Sequence, residues 1–129
     1  MIRLLFSFVC SAFLLFGCGD DDGASLSVEP SAPAGLPAGL PPVLRADLAN
    51  RLDIDVSGVR ITEFCGVTWP DGSLGVAEPG RVYTQVLIDG WLAILRTGGE
   101  EYRFHGAADR FIAADFVAGA TVLDSTRCP

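Results

Sequence analysis

Lysine is absent from this chain of 129 residues, and its nine basic residues, all arginine, are outnumbered by sixteen acids for a formal charge of −7. Such a chain has no basic stripe to neutralise phosphates, so the sequence argues against nucleic-acid binding. Histidine occurs once, at His105, and the four cysteines form no Cys-x-x-Cys pair. Neither a transition-metal site nor a metal cofactor is expected from that inventory. Asp20-Asp21-Asp22 lacks the alternating ligands of an EF-hand loop and reads as a solvated spacer. No Gly-x-Ser-x-Gly elbow surrounds the loop hydroxyl Ser73, which stands between Gly72 and Leu74. The longest apolar run, Leu4 to Phe16, falls short of the ~20 residues that span a bilayer.

What is present begins with a targeting segment. Met1-Ile2-Arg3 is a short positive start, Leu4 to Phe16 an apolar stretch, and Gly17 a small residue directly before Cys18. Together they resemble a bacterial lipoprotein signal with its lipobox. The resemblance implies cleavage after residue 17 and acylation of Cys18 with fatty acids such as palmitate. One acyl chain gives marginal membrane affinity and two give stable anchoring. An ordinary secretory signal is the competing reading, but Gly19-Asp20-Asp21-Asp22-Gly23 opens a solvated tether rather than a folded amino terminus. In lipoproteins an Asp directly after the cysteine retains the protein at the inner membrane. Gly19 at that position favours the outer membrane, which places the protein in the bacterial cell envelope.

Residues 18–42 carry Pro30, Pro33, Pro37, Pro41 and Pro42 among small residues, with few groups able to bury apolar surface. They are expected to form a disordered, semi-rigid linker. Residues 43–129 then read as one small domain. Leu44, Leu48 and Leu52 recur at helical spacing, widened by Ala49, which predicts one amphipathic helix. Val59, Ile61, Cys65, Val67 and Trp69 share one parity and predict a long strand with one face buried. Turns are expected at Pro70-Asp71-Gly72, Glu78-Pro79-Gly80 and Asp89-Gly90. A strand is expected over 81–88, a hairpin from 91–96 and 101–105 about Thr97-Gly98-Gly99-Glu100, and a further strand within 110–116. The fold class is therefore α+β, one amphipathic helix packed on a three- to four-stranded antiparallel sheet.

The blocks Thr68-Trp69-Pro70-Asp71-Gly72-Ser73-Leu74-Gly75, Glu78-Pro79-Gly80, Tyr83-Thr84-Gln85 and Tyr102-Arg103-Phe104-His105 resemble a family of small secreted or lipid-anchored bacterial domains without a characterised activity. The likeness covers about residues 43–106. It implies a shared helix-and-antiparallel-sheet fold and no catalytic residue or cofactor. Where that family commonly has Cys-Pro before Glu-Pro-Gly, this chain has Val76-Ala77, so a disulfide through that loop is absent or rerouted.

On its strand His105 shares parity with Arg103 and reads as a rim residue rather than a catalytic base. The loop from Trp69 to Gly80 holds the candidate binding residues Trp69, Asp71, Ser73 and Glu78. A rigid loop carrying one aromatic suits recognition, although the parity of Trp69 equally makes it a core plug of the sheet. The expected function is a lipid-anchored, non-catalytic domain that binds a protein or peptide. The alternative is an inhibitor of an envelope or extracellular hydrolase acting through the 69–80 loop. With Cys10 lost in the signal and Cys18 taken by lipid, Cys65 and Cys128 remain to pair in an oxidising compartment; the competing reading leaves Cys65 a buried thiol. If Cys18 is the anchor, Cys18→Ser abolishes incorporation of labelled palmitate and leaves an uncleaved or soluble precursor. Equal labelling of both proteins would refute the assignment.

Overall fold

The computed structural model describes residues 35–108, 110–123 and 128–129. The expected signal segment 1–17, the expected lipidation position Cys18 and the expected linker up to residue 34 lie outside them. The fold is α+β, with helix α1 (Leu40–Leu52), strands β1 (Arg60–Trp69), β2 (Val76–Ala77), β3 (Ile88–Thr97), β4 (Glu100–Ala107), β5 (Arg110–Ala113) and β6 (Thr121–Val122), and two single turns of 3₁₀ helix. One antiparallel sheet has the order β1-β3-β4-β5, and β2 pairs with β6 in a separate two-stranded ribbon.

Helix α1 begins earlier than the residue-43 boundary of the sequence reading, because Pro41 and Pro42 occupy its first turn. Their missing N–H groups would have no intrahelical partner there, and their fixed φ suits the helix. Leu44, Leu48 and Ala49 are buried, with Leu40 and Leu52 half-buried on the same stripe. They pack against Val59, Trp91, Ala93, Leu95, Phe104 and Ala113, which together form the main core. Each fully buried leucine in that contact contributes roughly 1.5–3 kcal/mol relative to exposure. The helix stops at Asp53, which adopts a left-handed φ of 53° and returns its N–H to the carbonyl of Ala49.

Strand β1 corrects the parity reading. Ile61 lies opposite Leu95 but Glu63 lies opposite Ile94, so a bulge at Thr62 shifts the register by one residue. An extra residue in a strand exchanges the two faces for everything that follows. Val59 and Ile61 therefore join Phe64 on the helix side, whereas Cys65, Val67 and Trp69 share the other face with Leu92, Ile94 and His105. No alternation visible in the sequence could reveal a bulge that divides a run of matching residues.

Other expectations meet the structure unevenly. The β3–β4 hairpin turns at Gly98-Gly99, whose φ angles of 58° and 88° meet the demand of a two-residue turn for successive positive φ. Asp89-Gly90 makes no turn; both residues continue β3, paired with Thr68 and Val67. Of the strand expected over 81–88 only Ile88 is regular, and residues 81–87 pair with no strand among the described residues. Within 110–116, β5 occupies Arg110–Ala113 and a 3₁₀ turn the remainder.

Both tryptophans lie flat over glycines of the neighbouring strand, one on each face. A Cβ on Gly106 would fall within the Trp91 ring, and a Cβ on Gly90 would meet the Trp69 indole. On the second face Cys65 is bonded to Cys128, with Cα atoms 5.6 Å apart and 63 positions between them in sequence. This bond ties Cys128 to the first strand, in agreement with the expected pairing and against the reading of Cys65 as a free thiol. Closing a loop of that length stabilises the fold by about 4 kcal/mol in the chain-entropy model. The pair Cys65→Ser and Cys128→Ser should lose roughly that amount in denaturant unfolding, and the non-reduced, denatured wild-type domain should show no alkylatable thiol at either position.

Candidate functional site

The second sheet face is apolar at its centre, and among the described residues no helix lies over it. Residues 70–77 cover part of it, and their path follows from local chemistry. Beyond Pro70, the Asp71 carboxylate accepts from the Ser73 N–H at 2.8 Å, and the Leu74 N–H donates to the Asp71 carbonyl at 3.3 Å. Hydrogen bonds from Ser73 hold the Asp71 carboxyl below its ordinary pKa. Leu74 and Gly75 then take successive positive φ values of 54° and 74°, which fold the chain back across the sheet. Gly75 is required there, because a Cβ would collide with the Trp69 ring. The returning leg is held by β2 pairing with β6, Val76 opposite Val122 and Ala77 opposite Thr121.

Beneath this strap Trp69 and His105 stack, with centroids 4.6 Å apart and planes inclined by 14°. The Trp69 Nε1–H donates to the Gly106 carbonyl at 3.0 Å. His105 Nδ1 lies 2.7 Å from the Leu74 carbonyl, which can only accept a hydrogen bond, so the neutral ring is the Nδ1–H tautomer. His105 is fully buried and its Nε2 has no partner among the described residues. This corrects the reading of His105 as a rim residue. Its strand parity was right, but the face it shares with Arg103 is roofed by residues 73–76 at His105 and not at Arg103. Burial pushes its pKa below the ordinary imidazole value, opposed by the bond to Leu74. Neither ring nitrogen meets the Ser73 hydroxyl or the Asp71 carboxylate, so no nucleophile–base pair is assembled.

The four candidate binding residues thus separate. Trp69 and Ser73 are interior, at 0% and 3% exposure, and no partner can reach them in this fold. Asp71 is half-buried and shapes the turn. Glu78 stands at the start of a second, outward segment, where it pairs with Arg81 at 2.8 Å.

That segment, residues 78–87, is tied to the strap through Thr84 and closed on itself through Tyr83. The Glu78 N–H donates to the Tyr83 hydroxyl at 3.0 Å, and the Gly72 N–H donates to the Thr84 carbonyl at 2.9 Å. Between and beyond these ties the side chains turn outward: Val82 is 98% exposed, Leu87 76% and Val86 51%. Gly80, with φ of 75°, supplies the bend. Between the segment and the sheet lies a cleft of about 400 Å³. Its walls include Gly72, Arg81, Tyr83 and Thr84, and Ile88, Ile112 and Arg110 close it from the sheet side. Sequence reasoning missed Arg81, Tyr83 and Arg110 here. The available signal was aliphatic Val82, Val86 and Leu87 in a stretch bounded by turn residues, which β propensity alone converts into a strand. Among the described residues no three His, Cys, Asp or Glu side chains converge as a metal site.

The buried imidazole gives the fold a defined acid response. Below about pH 6.5, the ordinary imidazole value, the unfolded chain binds a proton that the folded chain resists. The contribution of neutral His105 is therefore complete above that pH and declines as pH falls toward the lower folded value. His105→Asn should be less stable than wild type at neutral pH, and the difference between their unfolding midpoints should shrink as pH drops below about 6.5. A constant difference would show that the imidazole is not held neutral.

Residues 42–114, more than half of the chain, match the model of a family described as a domain of unknown function (DUF8738). No curated protein and no solved structure matches the chain. The matched stretch runs from the first turn of α1 through β5, and so takes in the strap, the segment 78–87 and every wall of the cleft. The chain belongs to the DUF8738 family.

Proposed function

We propose that this is a lipid-anchored protein of the bacterial cell envelope, acylated at Cys18 and carried at the outer membrane, whose domain binds a protein or peptide without catalysis. The observation that carries the reading is the cleft beneath residues 78–87, concave, floored by isoleucines and bordered by fastened but outward-facing side chains. Folding gives no reason to leave Val82, Val86 and Leu87 in water together, and exposed aliphatic groups beside a concavity suit a contact surface. Fastening the segment in advance lowers the ordering cost of binding. A non-catalytic role is supported by His105, whose one protonated nitrogen is committed to a backbone carbonyl under the strap. The proline-bearing linker suits a domain held away from lipid.

Strand addition at the sheet edge is a less favoured route. Among the described residues β1 is paired on one side only, but its bulge and the Cys65–Cys128 bond interrupt it as a template. The inhibitor reading keeps a specific observation: Val82 projects from a loop tied at both ends, as an element entering a hydrolase cleft would. The part able to enter is 78–87, because 70–77 is folded onto the sheet.

A photo-crosslinking residue at Val82 separates these outcomes in living cells. A discrete adduct from position 82, absent from the exposed hairpin position Glu100, supports binding at the cleft. An adduct that proves to be a hydrolase silenced by this chain supports the inhibitor. Identical patterns from 82 and 100 would overturn both.

A further inference from the structure

We propose that the cleft recognises a carboxylate carried on an aliphatic peptide, with Arg110 as the group that holds the carboxylate. The proposal rests on the cleft being the binding site. Two guanidinium groups line it, and they are not equivalent. Arg81 is matched by Glu78, which lines the same cleft at 2.8 Å from it, so that pair brings no net charge. Arg110 donates from one Nη2 to the neutral Gly72 carbonyl at 3.1 Å and has no carboxylate partner among the described residues.

That single bond holds one end of the exposed guanidinium at the cleft without consuming its charge or its remaining N–H donors. A planar fork with spare donors is the group best suited to a carboxylate. In a chain of formal charge −7 the long-range field does not attract anions. Recognition must then be local, within the ~8 Å over which a charge acts at physiological ionic strength.

The rest of the cleft specifies what bears the carboxylate. Ile88 and Ile112, half-buried on the second sheet face, and Val86 present branched aliphatic surface. A ligand that satisfies both parts has an anionic end and an aliphatic neighbour. The Thr84 carbonyl already accepts from Gly72, so the peptide's orientation is set by Arg110 and the isoleucines rather than by pairing to residue 84. The carboxylate can be the peptide's own terminus or an acidic side chain.

The experiment uses the full chain in detergent micelles and isothermal calorimetry with three probes. They are N-acetyl-Gly-Val-Leu as the free acid, the same peptide as its C-terminal amide, and amidated N-acetyl-Val-Leu-Glu. The free acid is expected to bind at least about tenfold more tightly than its amide, as one charge-assisted bidentate contact provides, and to weaken with added salt. Equal binding by the glutamate amide identifies an acidic side chain as sufficient; its failure identifies the chain terminus. Arg110→Gln should remove the preference for the acid and Arg110→Lys restore part of it, while Arg96→Gln, on the far hairpin, leaves it unchanged. Because Arg110→Gln also loses the tie to Gly72, the acid-versus-amide comparison on wild type carries the decision. Equal binding of acid and amide refutes the carboxylate while leaving the cleft as the site. Absence of binding by all three probes refutes the inference, and the crosslinking result at Val82 then decides separately whether the cleft binds anything.

Discussion

A sheet with an apolar centre on both faces must be covered twice, and the described residues contain one α-helix. Most of the remaining structure follows from that shortage. α1 seals the face carrying Trp91, Ala93, Leu95 and Phe104. The opposite face, with Trp69, Leu92, Ile94 and His105, has to be closed by irregular chain. Irregular chain carries backbone polar groups that must find partners wherever it is buried. The strap over residues 70–77 meets this by bonding to itself through Asp71 and Ser73, to β6 through Val76 and Ala77, and to a side chain, His105, through the Leu74 carbonyl. The imidazole is thus a hydrogen-bond donor supplied by the sheet to its own cover.

The same shortage gives the disulfide its place. A domain this small buries a modest fraction of its surface, and cover made of loops adds less than a second helix would. Cys65 lies on the loop-covered face, beside Leu92 across the β1–β3 ladder. Bonding Cys128 there anchors the chain end on the side without a helix, while the side that α1 covers has no such bond. The two supports therefore divide by face, apolar burial on one and a covalent tie on the other.

How much of this the sequence disclosed depends on whether the determinant was local. The helix was legible because its leucine spacing is a property of thirteen contiguous residues. The hairpin was legible because Gly98-Gly99 sits between two apolar runs, and the Cys65–Cys128 bond because few cysteines were available to pair. The bulge at Thr62 was not legible, since Val59, Ile61, Cys65, Val67 and Trp69 keep one parity in sequence while the structure divides them between faces. His105 was misplaced for a related reason. Parity says which face a side chain takes, but what lies over that face is a long-range fact. The segment 81–87 was read as a strand from its β-branched residues, and propensity of that kind reports fit to a pleated surface only where a neighbouring strand exists. As to the site, Glu78 was found by its turn, whereas Arg110 belongs to a distant strand that only the tertiary fold brings beside Gly72.

The cleft is the place where this incomplete cover ends. Trp69, Leu74 and His105 are sealed by the strap, but Ile88 and Ile112 on the same face remain half-buried. The chain next passes over them as residues 78–87, closed on itself through Tyr83 and tied to Gly72 through Thr84 rather than packed down upon the sheet. Had the segment been a paired strand, it would have extended the sheet and left no space; had it been loose, the isoleucines would present a flat apolar patch prone to nonspecific association. Fastened at a distance, it makes a recess whose floor is apolar because it belongs to a core face and whose border is polar because it belongs to a loop. Gly72 joins the two, giving its N–H to Thr84 and its carbonyl to Arg110, so the segment and the guanidinium are tied to one residue. Displacing the segment would thus disturb the charge as well as the shape of the recess.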